Sequence, residues 1–154
     1  HYRFLKELAM ASAQNERELS FTPYQPAAEE EYMNDAQLAH FRKILLDWKE
    51  QLISEAESTK SYIQDESTAM PDINDRATQE EEFALALRTR DRERKLIRKI
   101  DKSIAEIDSG DYGFCETCGV EIGVRRLEAR PTATQCIDCK TLSEIKEKQA
   151  WGHA

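Results

Sequence analysis

The sequence has few of the residues that interrupt helices. Its 154 residues include five glycines and four prolines, and aromatics make up 8% against 34% charged residues. That balance disfavours a large packed core and suits long, solvated helices. Histidine is also scarce, with only His1, His40 and His153. No Ser/His/Asp set, glycine-rich phosphate loop or HExxH pattern is present, so the chain reads as a non-enzyme. No stretch approaches the roughly 20 apolar residues of a membrane span. The opening HYRFLKELAMASAQNERELS lacks the apolar centre and cleavage site of a signal peptide, and a cytoplasmic protein is expected. Basic residues are in deficit, 22 against 30 acidic ones, for a net charge of −8. Such a chain repels a phosphate backbone over most of its surface, while a local basic patch can still hold a small anion.

What is present is helix. Leu38, Phe41, Leu45, Trp48 and Leu52 recur in steps of three and four, a heptad seam. Asn34 is placed to cap this helix, with Gln37 three residues on. Beyond Leu52 the seam weakens to Ala56, Thr59 and Tyr62 or Ile63. A second helix is expected from about Ala77 to Ile107, with an apolar stripe of Phe83, Leu87, Ile97, Ile100, Ile104 and Ile107. Gly110 and Gly113 mark its end. Neither helix buries its stripe alone, and Pro71 breaks any continuous helix. The spacing therefore predicts an all-α-dominated fold in a single chain, a monomer. It comprises a long antiparallel coiled-coil hairpin on a small globular module, with a four-cysteine zinc finger and a C-terminal helix. The expected divisions are residues 1–33 as an N-terminal segment that is part of the globular module, 34–108 as the hairpin with its tip at 68–76, 109–140 as the finger and 141–154 as the last helix. In that helix Leu142 and Ile145 are expected to face inward.

All four cysteines lie in CETC and CIDC: Cys115, Cys118, Cys136 and Cys139, spaced C-x2-C-x17-C-x2-C. Two residues between thiolates let one turn present both sulfurs to a single ion, and two such turns close a tetrahedral structural site. Gly119 follows the first pair, where the turn needs permissive backbone angles. Two disulfides are the competing arrangement, disfavoured in a reducing compartment, and spacing does not separate Zn2+ from iron. One Zn2+ on four thiolates is a −2 centre that would take the chain from −8 to about −10. With no open position it would stabilise the finger without activating water.

The segments EEYMNDAQLAHFRKIL, DRATQEEEF, LRTRDRERKLIRKI and CETCGVEIGVRRLEARPTATQCIDCK resemble the DksA family of bacterial RNA polymerase regulators, over roughly Tyr24 to Gln149. The first twenty or so residues and the tail AWGHA depart from it. The resemblance implies a regulator that binds RNA polymerase directly, without reading promoter sequence. Its hairpin would enter the secondary channel. With guanosine tetraphosphate (ppGpp) it would destabilise open complexes at stable-RNA promoters and activate some amino-acid-biosynthesis promoters.

The family's tip motif, Asp-x-x-Asp-x-Ala, corresponds to Asp72, Asp75 and Ala77. On local chemistry alone Asp75 reads as an N-cap and Asp72 as an Asx-turn residue after Pro71. The family's ppGpp pocket maps to Leu96, Lys99, Arg130 and Lys140, and Arg92 is a weaker candidate for a polymerase contact. Arginine forks onto phosphate and lysine supplies a compact charge. Taken singly, each cation also reads as a solvated side chain, and Leu96 as a packing residue. Two other readings compete. One is a transcript-cleavage factor with an acidic tip. The other is a zinc module binding nucleic acid directly, which the acids Glu116, Glu121 and Glu128 among Arg125, Arg126 and Arg130 disfavour.

Overall fold

The computed structural model describes residues 21–66 and 73–152. Among the described residues four helices follow in order: α1 (Asp35–Glu66), α2 (Ile73–Ser109), α3 (Val124–Ala129) and α4 (Ile137–Gly152). The only pairing of extended backbone among the described residues is an isolated antiparallel bridge between Phe114 and Glu121. The chain falls into two compact units, one including Leu46–Asp101, the other including Phe21–Leu45 and Lys102–Ala154. No helix among the described residues is long and apolar enough to cross a membrane.

Within the first unit α1 and α2 run antiparallel. Lys49 meets Asp101 at 2.6 Å, Thr59 meets Glu93 at 3.2 Å and Tyr62 meets Glu82 at 3.2 Å, so numbers rise on one helix as they fall on the other. The α1 seam follows the sequence pattern, with Phe41, Leu45, Trp48 and Leu52 buried and Thr59 and Tyr62 continuing it. The α2 seam does not. Its buried positions are Glu82, Ala86, Thr89, Glu93, Leu96, Ile100, Ser103 and Ile107, in steps of three and four. Of the expected stripe only Ile100 and Ile107 are buried. Phe83, Ile97 and Ile104 are half-buried and Leu87 is exposed. The displaced residues form a second stripe along the flank of the seam.

Helix α2 also begins four residues before the expected start, at Ile73. Asp75 therefore lies in its first turn and is not the cap residue. At the start of α1 the expected cap is present. The Gln37 amide donates to Asn34 Oδ1 at 2.9 Å, and the Gln37 carboxamide oxygen accepts from the Met33 amide at 2.8 Å.

The second unit is held by aromatic and polar contacts. Phe41 packs on Tyr112, ring centroids 5.6 Å apart, and the Tyr112 hydroxyl donates to the Pro131 carbonyl at 2.7 Å. Glu128, buried on α3, accepts from the Tyr24 amide at 2.9 Å, from His40 Nε2 at 3.1 Å and from Arg125 at 2.5 Å. Burial alone would raise its carboxyl. The Tyr24 amide, His40 and Arg125 together hold it below its ordinary value.

Candidate metal centre and effector residues

The finger begins where α2 stops. Gly113, at φ +93°, turns the chain, and the Tyr32 hydroxyl spans the turn, donating to the Gly113 carbonyl at 2.7 Å and accepting from the Gly123 amide at 2.9 Å. The Cys115 amide donates to the Val120 carbonyl at 2.8 Å and the Gly119 amide to the Cys115 carbonyl at 2.9 Å, closing a knuckle around the first cysteine pair. Gly119 adopts φ +78°, the left-handed conformation its position called for. The second pair is built differently. Cys136 immediately precedes α4, which starts four residues before the expected boundary, and Cys139 sits in its first turn.

These two turns bring all four sulfurs within 4.8 Å of one another. All four thiols are free, and Cys118 and Cys136 are 3.7 Å apart, Sγ to Sγ. A tetrahedron with zinc–sulfur bonds of 2.3 Å has edges of roughly 3.8 Å. Backbone amides of Cys118 and Cys136 directed at Cys115 bring its pKa down to about 6. Crowding by the Cys136 and Cys118 thiols, with burial, pushes Cys139 up to about 12. Without a central cation the four cannot ionise together. Four thiols at the spacing of a tetrahedron, one of them already drawn toward its anion, fit a divalent metal.

The remaining candidates are distributed over both units. Leu96 is buried in the α2 seam, as a packing residue, while Lys99 is exposed on the same helix. Arg130 is exposed just after α3, and Lys140 is half-buried on α4. Lys140 lies 3.9 Å from Glu144 one turn on. The i,i+4 spacing on α4 supplies this carboxylate. Leu142 and Ile145 on α4 are exposed, 57% and 47%, and not inward-facing. No residue of α4 is buried. Asp72 lies outside the described residues, as does the side chain of Asp75, and Ala77 is exposed on α2. Arg92 is half-buried on α2. Sequence reasoning gave no role to the Glu128 hub; the signal available was His40, an imidazole placed beside the seam.

Two family descriptions match in succession. "DnaK suppressor protein DksA, N-terminal domain" covers residues 37–107, and "Prokaryotic dksA/traR C4-type zinc finger" covers 110–144. The chain is 62% identical over 130 residues to the RNA polymerase-binding transcription factor DksA of Escherichia coli (strain K12), spanning 84% of this chain and 86% of that protein. The chain belongs to the DksA family. A DksA family member from Haemophilus influenzae is 61% identical over 130 residues, 84% of this chain and 90% of the relative. Among solved structures, the DksA-family transcription factor DksA2 from Pseudomonas aeruginosa superposes with a TM-score of 0.74 at 39% identity, covering 80% of this chain and 94% of that one. As in the family description, the four clustered thiols form a C4-type zinc-finger region.

Proposed function

We propose that this chain is a non-enzymatic, monomeric, cytoplasmic regulator that binds RNA polymerase directly. Its α1–α2 hairpin enters the secondary channel, and it acts on open-complex stability together with ppGpp. One observation carries the reading: 62% identity over 84% of the chain to a protein named for binding RNA polymerase. In this reading one Zn2+, held by Cys115, Cys118, Cys136 and Cys139, fixes the finger. Asp72, Asp75 and Ala77 form the part that meets the polymerase active centre, and Arg92 contributes a polymerase contact. Leu96, Lys99, Arg130 and Lys140 supply one wall of a ppGpp site and polymerase the other. Stable-RNA promoters are repressed, some amino-acid-biosynthesis promoters are activated, and no promoter sequence is read. In this reading the hairpin, the finger and the last helix, which begins at Ile137, are distinct parts of the chain.

The test is the lifetime of open complexes on a stable-RNA promoter with purified polymerase. The chain shortens it and ppGpp deepens the effect. Asp72→Asn still binds polymerase but no longer shortens the lifetime. Lys99→Ala and Lys140→Ala bind polymerase and lose most of the added ppGpp effect, with half-maximal ppGpp raised about tenfold or more. A chain that does not co-purify with polymerase, or that instead stimulates transcript cleavage in stalled complexes, overturns the reading.

A further inference from the structure

The second apolar stripe gives the helical pair a face that its own seam does not use. Among the described residues of the first unit, the large exposed apolar ones are Leu46, Ile53 and Leu87. Heptad spacing puts all three on one flank. Leu46, Ile53 and Lys60 follow one another at seven residues on α1, and so do Leu87 and Arg94 on α2. Between the helices on this flank lies a groove of about 260 Å³ lined by Ile53, Ala56, Glu57, Lys60, Arg90, Arg94 and Ile97. Arg92 and Lys99, themselves seven apart, fall on the opposite side of the seam residues Glu93 and Leu96. On this helix the groove is therefore separate from Arg92 and Lys99.

Its charge is unusual for this chain. The protein carries −8, yet the groove rim holds Lys60, Arg90 and Arg94 against Glu57 alone. Elsewhere on the same flank Lys49 is matched by Asp101 at 2.6 Å. Among the described residues, Lys60, Arg90 and Arg94 make no ion pair. Unpaired cations beside one another repel, and an apolar floor in water is unfavourable, so the groove is complementary to a ligand that brings both carboxylates and apolar side chains. A helix with an apolar stripe bordered by acidic residues has that chemistry, and it would complete a three-helix arrangement on the flank. A nucleic acid strand would match the cations and leave Ile53, Ala56 and Ile97 in contact with polar backbone.

We propose that the Ile53–Ile97 groove is a docking site for an acidic, apolar-striped helix of RNA polymerase. The inference rests on the polymerase reading above and assigns a surface and a partner chemistry to it. Arginine rims of this kind contribute to specificity and encounter rate, while the apolar floor slows dissociation.

Binding of the full chain to purified bacterial RNA polymerase is measured for wild type, Arg90→Glu/Arg94→Glu, Ile53→Ser and Arg98→Glu, with helicity checked by circular dichroism. Arg98 is exposed on α2 away from the groove and repeats the charge change there. The double variant should bind about tenfold or more weakly and with less salt dependence than wild type. Ile53→Ser should bind several-fold more weakly, mainly through faster dissociation, and Arg98→Glu should bind as wild type does. A photocrosslinking residue in place of Glu57 should attach to an acidic helical segment of polymerase. If wild type binds and the groove variants bind equally well, the docking site is wrong while the polymerase reading stands. An equal loss in Arg98→Glu reduces the effect to net charge and overturns the groove, as does crosslinking to nucleic acid or to a second copy of the chain. Failure of wild type to bind removes both readings.

Discussion

The α1–α2 pair and the finger are held by different means. In the first unit, Trp48, Leu52, Leu96 and Ile100 bury apolar side chains at heptad spacing, each contributing about 1.5–3 kcal/mol. The finger has no such repeat. Its buried apolar residues are Tyr112, Ile122, Leu127 and Pro131 with two of the cysteines, too few to order the knuckle and the start of α4 without a further link. The helical pair tolerates polar residues in its seam, Thr59, Thr89 and Glu93 among them, because the repeat continues on either side of them. A unit held by four thiolates has no such redundancy, and loss of one donor is expected to disorder it while the helices persist.

The largest effect should therefore come from the metal. Cys118→Ser, or stripping with a chelator, is expected to remove most of the roughly 10–16 kcal/mol that structural zinc supplies to small domains. Elemental analysis should show one zinc per wild-type chain and loss in the variant, with the far-ultraviolet circular dichroism of α1 and α2 largely kept. Two disulfides in protein prepared under reducing conditions, or collapse of the helices with the finger, would break the contrast between the regions.

Next in size is the seam. Leu52 is 1% exposed, and Leu52→Ala should cost about 2–5 kcal/mol in urea unfolding followed by helicity, without releasing zinc. A metal-content change in that variant would show that the two regions do not stabilise independently. Third is Gly113→Ala, which acts on the finger alone. The glycine has φ +93°, and an added Cβ would lie 2.8 Å from Met33 Cγ and 3.1 Å from the Tyr32 hydroxyl. Backbone strain and the displaced Tyr32 bridge should cost about 1–3 kcal/mol, read as weaker zinc retention against a competing chelator. Equal zinc retention in wild type and variant would count against the Tyr32 bridge as a support of the finger.

The same contrast explains what could be read in advance. The finger was legible because metal chemistry dictates residue type and spacing together, and Cys115, Cys118, Cys136 and Cys139 have few alternative uses. The α1 seam was legible because its apolar residues at heptad spacing, Phe41, Leu45, Trp48 and Leu52, are buried, and Asn34 announced its cap. On α2 hydrophobicity misleads. Phe83, Leu87, Ile97 and Ile104 outrank Thr89, Glu93 and Ser103 on any apolar scale, yet the latter are buried. Register is set by the pairing with α1, and the partner's seam overrides the local stripe. Leu142 and Ile145 misled for the same reason, since an apolar face on α4 does not state whether this chain covers it. The proposed effector residues carry no equivalent constraint, and only resemblance selects Lys99 or Lys140 from a chain with 22 basic residues.

The smallest expected effect tests why a carboxyl sits in the seam at all. Glu93 is 1% exposed. One oxygen accepts from the Thr59 hydroxyl at 3.2 Å, and the other, Oε2, has no partner among the described residues. Burial raises its pKa above the ordinary 4.5; the Thr59 hydrogen bond works against that shift and the charge of Glu55 adds to it. The folded chain therefore keeps a proton on Glu93 at pH values where the unfolded chain has released it. The resulting stability is fully present below 4.5 and is lost as pH rises through the higher folded-state value, above which a buried ionised carboxylate opposes folding. Glu93→Gln cannot titrate and retains a group able to bond Thr59. The stability of wild type minus that of Glu93→Gln, from urea midpoints between about pH 5 and 8, should fall with rising pH and then level off. Subtraction removes the other acids common to both chains, including Glu106, which burial also raises, and Glu128, which its partners lower. A flat difference would mean that Glu93 reaches water or a cation in solution, and a rising one would mean that a positive group lies closer to it than Glu55 does.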